Sequence, residues 1–151
     1  SASYAIGYGN AGMTIKDRAI AEWFAAAFTA GELSNTNISG YGADPDGDGI
    51  RNLAEYAIGQ DPWTPDGEHL PVPATASGYL SITYHENKQA QGVTYYPAAS
   101  YDFITGPWTT NGFTETGRID MGTYWSVTVR DSVPVSTAAS RYIRLNVKLV
   151  E

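Results

Sequence analysis

The sequence predicts an α+β chain. A short helical part comes first, and a small antiparallel β-sandwich follows. Three observations carry this. Apolar residues recur at helical spacing near the N-terminus, at Ile15, Ala19, Ile20, Trp23, Phe24, Ala27 and Phe28. From Gly78 onward the apolar period drops to two. Between these regions lies a run of acidic and glycine residues at fixed offsets.

The totals bound the class. At 151 residues, 42% hydrophobic and 13% aromatic, the chain is too apolar for a disordered one and suits one domain with appendages. No apolar run approaches the ~20 residues of a membrane span. With no initiator Met and no charged-then-apolar leader, a processed or excised segment is expected. Cysteine is absent, so neither disulfides nor thiol chemistry are open to it. The net charge is −7. Asp44, Asp46, Asp48, Glu55, Asp61, Asp66 and Glu68 fall close together against Arg51 alone. Such a patch points to a cation. Nucleic acid is not expected, because no basic stripe could meet phosphates.

In chain order, Ser1–Gly9 reads as a strand. Ala2, Tyr4, Ile6 and Tyr8 share one face, and the other carries only Ser, Ala and Gly. Asn10-Ala11-Gly12 then forms a hinge. Thr14, answered by Asp17, caps a helix over 14–30, with Gly31 as its stop. Its aromatic stripe is core. The loop 33–43 holds Asn37-Ile38-Ser39, a formal but weak glycosylation acceptor at Asn37. A short helix is expected over 51–58, ended by Gly59. Pro62, Pro65, Pro71 and Pro73 mark a linker.

Five strands follow. Leu80, Ile82 and Tyr84 alternate with polar residues. Val93–Phe103 and Phe113–Ile119 are the second and third, Trp125–Val129 the fourth. Ile143, Leu145, Val147 and Leu149 make the cleanest inward set. Turn formers at this spacing predict a small antiparallel sandwich of Ig-like type. The expected divisions are 1–13, a strand and linker; 14–68, the helical unit; and 69–151, the sandwich. Five strands are few for two sheets, and edges are left open.

The strongest motif is Asp-Pro-Asp-Gly-Asp-Gly-Ile-Arg-Asn-Leu-Ala-Glu at 44–55. This is the spacing of a twelve-residue calcium loop. Asp44, Asp46 and Asp48 supply carboxylates from positions 1, 3 and 5. Gly49 takes the turn, Ile50 offers its carbonyl, and Asn52 reaches the ion directly or through water. Glu55 closes the site with both oxygens. Hard oxygen donors in this number favour Ca2+ over Mg2+.

The loop is preceded by turn residues and not by a contiguous helix, so the unit resembles dockerin-like and thrombospondin type 3-like calcium repeats. Dockerins carry two such loops and this chain carries one, so cohesin binding is not implied. More widely, the stretch from Ala43 to Pro62, with Tyr79–Tyr84, Gly106–Thr110, Val127–Ser136 and Arg141–Leu145, is similar to carboxy-terminal modules of large secreted bacterial proteins, notably of Verrucomicrobia-like lineages. The resemblance covers roughly residues 20–150. It implies an extracellular or cell-surface β-sandwich module without an assigned activity.

No catalytic constellation stands out. His69 and His85 have no partner suggested by motif, and Asp102, Glu115, Asp120 and Asp131 are scattered. Tyr95, Tyr96, Tyr101, Trp108, Tyr124 and Trp125 are candidates for binding polysaccharide or for ordinary packing. The leading strand has two docks open to it, its own sheet or the sheet of another copy, as in donor-strand complementation. The second is favoured. The expected function is a non-enzymatic, calcium-stabilised extracellular module that joins head to tail through Ala2, Tyr4, Ile6 and Tyr8. A carbohydrate-binding accessory module is the alternative.

Overall fold

A computed structural model describes residues 15–65 and 67–150. The leading strand, with Ala2, Tyr4, Ile6 and Tyr8, lies outside them, as do Thr14 and Asp66. The described chain is α+β, with short helices and two antiparallel sheets, and is compatible with a small β-sandwich.

The helical part holds α1 (Ile15–Ala27), α2 (Ala30–Leu33), α3 (Thr36–Ser39) and α4 (Asn52–Ile58). The single helix expected over 14–30 therefore stops at Ala27, and Gly31 lies inside α2 instead of ending α1. The cause is Thr29. Its side chain accepts from the Glu32 amide while the Glu32 carboxylate accepts from the Thr29 amide at 2.7 Å. This capping box starts a new helix where the old one would have run on. The loop 33–43 is also not all loop, since Asn35 caps α3 by accepting from the Asn37 amide. Asn37 itself is exposed.

Ile20, Phe24, Phe28 and Tyr56 bury together, joining α1 to α4. Trp23 meets Phe24 edge-on at 4.9 Å. The helix end is tied across as well, because Trp63 Nε1 donates to the Ala27 carbonyl at 2.9 Å.

Six strands follow where five are expected: β1 (Val72–Ala76), β2 (Tyr79–Asn87), β3 (Val93–Ser100), β4 (Phe113–Asp120), β5 (Tyr124–Pro134) and β6 (Tyr142–Leu149). The added strand, β1, falls in the segment expected as a proline linker. Pro73 is tolerated there because β1 is a sheet edge. One sheet has the order β1-β2-β5-β4 and the other pairs β3 with β6. Register places Ile82 opposite Val129 and Tyr84 opposite Val127. These four are buried, and Tyr95, Ile143 and Leu145 of the other sheet pack on them. The sheets thus meet face to face.

Two features fix how the layers sit. Asn87 Nδ2 donates to the Tyr56 carbonyl at 3.0 Å, and Tyr56 Oη donates to the Gln91 carbonyl at 3.0 Å, so α4 is fastened to the ends of β2 and β3. Arg141, just ahead of β6, grips Asp131 of β5 with two bonds, of 2.6 and 3.1 Å. Both side chains are almost wholly buried. The pair ties one sheet to the other.

The two layers are unequal. Four strands face two, and all five residues of β1 are exposed. Among the described residues, nothing covers β1 on either face.

Candidate metal centre

The loop between α3 and α4 is closed at its base by the backbone. The Asn52 amide donates to Ala43 O at 2.9 Å and the Leu53 amide to Tyr41 O at 3.1 Å. Inside, each aspartate is held by amides further along. Asp44 accepts from Gly47 and Gly49, both at 2.9 Å. Asp46 accepts from Asp48 at 3.2 Å, and Asp48 from Ile50 at 2.7 Å. Gly49 sits at φ +93°, where a side chain would be strained. This winding draws one carboxylate oxygen from each of Asp44, Asp46 and Asp48 to within 4.8 Å of the others. The cluster can hold a metal ion.

Glu55 enters from the first turn of α4 and is only 1% exposed. Its Oε2 and the Oδ2 of Asp46 are buried without a hydrogen-bond partner. Burial, and then the charges of Asp46, Asp48, Asp44 and Asp61, push the Glu55 carboxyl up to about 8. Burial is also the first cause raising Asp46, with Asp48 and Asp44 adding to it. A buried carboxyl with an unmet oxygen among other carboxylates is a group waiting for a cation. Asp61 is the residue that sequence reasoning left without a role. It belongs to the acidic patch, but it lies six residues past Glu55, the last position of the motif, and no spacing rule reaches it.

Asn52 is placed differently from a plain ligand. It is fully buried, and its Nδ2 donates to the carbonyls of Ile38 and Gly40 at 2.8 and 2.9 Å. Its Oδ1 is buried without a partner. The residue clamps the loop's entry to its exit. Asn52→Ala takes the side-chain donor from the Ile38 carbonyl and leaves Gly40 O with the Ala43 amide alone, and the expected loss is about 1–2 kcal/mol, read from the urea midpoint at constant slope.

No protein-family model and no curated protein matches this chain. The site must be read from its own residues.

Elsewhere the reactive groups are engaged one by one. Asp102 accepts from the Ile104 and Thr105 amides at 2.8 and 3.1 Å and holds its own turn. Glu115 pairs with Arg118 at 2.9 Å, Lys88 pairs with Asp120, and Asp131 pairs with Arg141. His69 and His85 do come together, with ring centres 4.8 Å apart, and His85 stacks on Tyr124 at 4.0 Å. Burial, then His69, lower the pKa of His85.

The candidate aromatics divide. Tyr95 packs on the inter-sheet core and donates to the Ala57 carbonyl. Trp125 is half-buried under Lys88. Tyr96 lies beneath Lys148, and Trp108 beneath Arg144 at 4.0 Å. Tyr101 is exposed and, with Phe103 and Tyr142, rims a cleft that sequence reasoning did not group.

Proposed function

We propose that this chain is a non-enzymatic structural module on an Ig-like sandwich, stapled by calcium, extracellular or at the cell surface. It builds a fibre head to tail by giving its N-terminal strand to a neighbour. The observation that carries the reading is, among the described residues, the unequal pair of sheets, four strands against two with both faces of β1 exposed along its length. A sandwich one strand short accepts one. A contact in which one surface meets a different one on the next copy repeats without closing, which gives a filament.

Calcium would be held by carboxylates of Asp44, Asp46, Asp48 and Glu55 with the Ile50 carbonyl, and it would supply the positive charge those oxygens lack. Its chemistry there is structural. The chain's own residues do the rest, since Asn52 fixes the loop ends and α4 transmits the staple to β2 and β3. The engagement of Asp102, Glu115, Asp120 and Asp131 supports a role without catalysis.

The test is a chain lacking residues 1–9, checked by circular dichroism for an unchanged fold. Sedimentation and electron microscopy should show polymers from the full chain and monomers from the shortened one. Equal assembly of both would reject strand donation.

A carbohydrate-binding reading has one observation in its favour. Tyr101, Phe103 and Tyr142 surround an open cleft at one end of the sheets. Phe103 is 66% exposed. Retention on insoluble polysaccharide, lost in Phe103→Ala, would support it over the fibre.

A further inference from the structure

Four sheet edges could take an added strand, and they are not alike. The outer edge of β1 carries Pro73, which has no amide to give, and all five of its residues are exposed. The outer edge of β3 is already met at Ala99, which exchanges two 2.9 Å backbone bonds with Thr109. The outer edge of β4 carries Glu115 and Arg118, bonded to each other, and β4 is largely exposed. The outer edge of β6 is different. Among the described residues β6 pairs only with β3, so half of its backbone N–H and C=O groups point away from a partner.

Beside it lies a cleft of about 460 Å³. Leu145 and Val147 of β6 form one side, Ile50, Leu53 and Ile58 the helical side, and Leu70 the side towards β1. The walls are therefore largely apolar, with Arg51 among them, and Leu145 and Val147 bring β6 to the cleft. A strand laid along β6 would also lie over the bare face of β1.

We infer that this cleft is the acceptor for residues 1–9 of a second copy. The inference rests on the strand-donation reading above and names its docking site. The fit is one of length and pattern. β6 has eight residues, about 27 Å at strand rise, and Ser1–Gly9 extends to about 30 Å. Tyr4, Ile6 and Tyr8 are apolar and alternate, so they enter the cleft together when the strand pairs. The opposite face carries Ser3, Ala5 and Gly7, which faces solvent without exposing apolar bulk. Asn10-Ala11-Gly12 is a turn-forming sequence that would let the strand leave its own molecule, and the exchange would preserve every contact a closed monomer would make.

The natural chain has no cysteine, so engineered pairs report cleanly. Full-length chains carrying Tyr4→Cys, Ile6→Cys or Tyr8→Cys are mixed with full-length Val147→Cys and oxidised gently. Neighbouring antiparallel strands bring facing Cα atoms to about 4.5–5.5 Å, within disulfide reach. At least one mixture should give disulfide-linked dimers at tenfold or more the yield of the same donor with Thr116→Cys on β4. Leu70→Asp, at a position 47% exposed and so safe for folding, should weaken polymerisation at least tenfold.

Polymers that need residues 1–9 but link preferentially to Thr116→Cys, or that ignore Leu70→Asp, overturn this site while the donation reading stands. An Ile6→Cys/Val147→Cys chain that closes on itself at every concentration, never between copies, overturns the second copy as occupant. Assembly that ignores residues 1–9 overturns both.

Discussion

Glu55→Gln will change stability in opposite directions with and without calcium. In chelator the folded carboxyl titrates near 8, whereas an unfolded glutamate titrates near its ordinary value of about 4.3. Between those values the folded chain holds a proton that the unfolded chain has lost. Stability therefore falls as pH rises through this window, and it is lowest above 8, where a buried charge stands among other carboxylates. Glutamine removes that charge. In chelator at pH 9 the variant should be more stable than the natural chain by on the order of 5 kcal/mol, and at pH 4 the two should nearly coincide. With calcium the carboxyl is ionised and bound, the pH slope disappears, and Glu55→Gln becomes the weaker protein because a bidentate ligand is gone. Urea midpoints at pH 4, 7 and 9, each with and without calcium, check both signs. A variant less stable than the natural chain under all six conditions would contradict this account of Glu55.

Asp131→Ala will cost about 3–5 kcal/mol. Asp131 is fully buried, and Arg141 opposite it is nearly so. The two planar groups meet through a pair of bonds of 2.6 and 3.1 Å, and Asp131 also receives the Val133 amide at 3.3 Å. The bond to Asp131 is the first cause holding Arg141 above its ordinary value. Removing the carboxylate strands a guanidinium between the sheets, beneath Tyr101 at 4.5 Å. Arg141→Ala should cost a similar amount, and the double variant less than the sum. A loss under 1 kcal/mol in Asp131→Ala would mean that water reaches the pair.

The legible parts of this chain are those whose physics is local. The acidic loop was readable because Asp44, Asp46 and Asp48 stand at alternate positions and wind on nearby amides. The stripe of α1 and the alternation of β6 were readable because one face of each is buried. β1 was not, since a strand exposed along its whole length leaves no alternation, and Pro73 within it imitates a linker. The break between α1 and α2 depends on one capping box within a polar stretch, Thr29 to Glu32. The Asp131–Arg141 tie joins two sheets, and no local spacing announces it. Glu55 falls between these cases. Its proposed place as a ligand follows from spacing, while its burial, the first cause of its raised pKa, comes from the packing of α4.

The central claim is that the acidic loop of residues 44–55 is a calcium staple. Thermal unfolding of the natural chain at pH 7.5, in chelator and then at rising calcium, tests it most directly. The predicted result is a rise that continues with the logarithm of calcium above the dissociation constant, on the order of 10 °C at a hundredfold excess. A melting temperature identical in chelator and in millimolar calcium would contradict it.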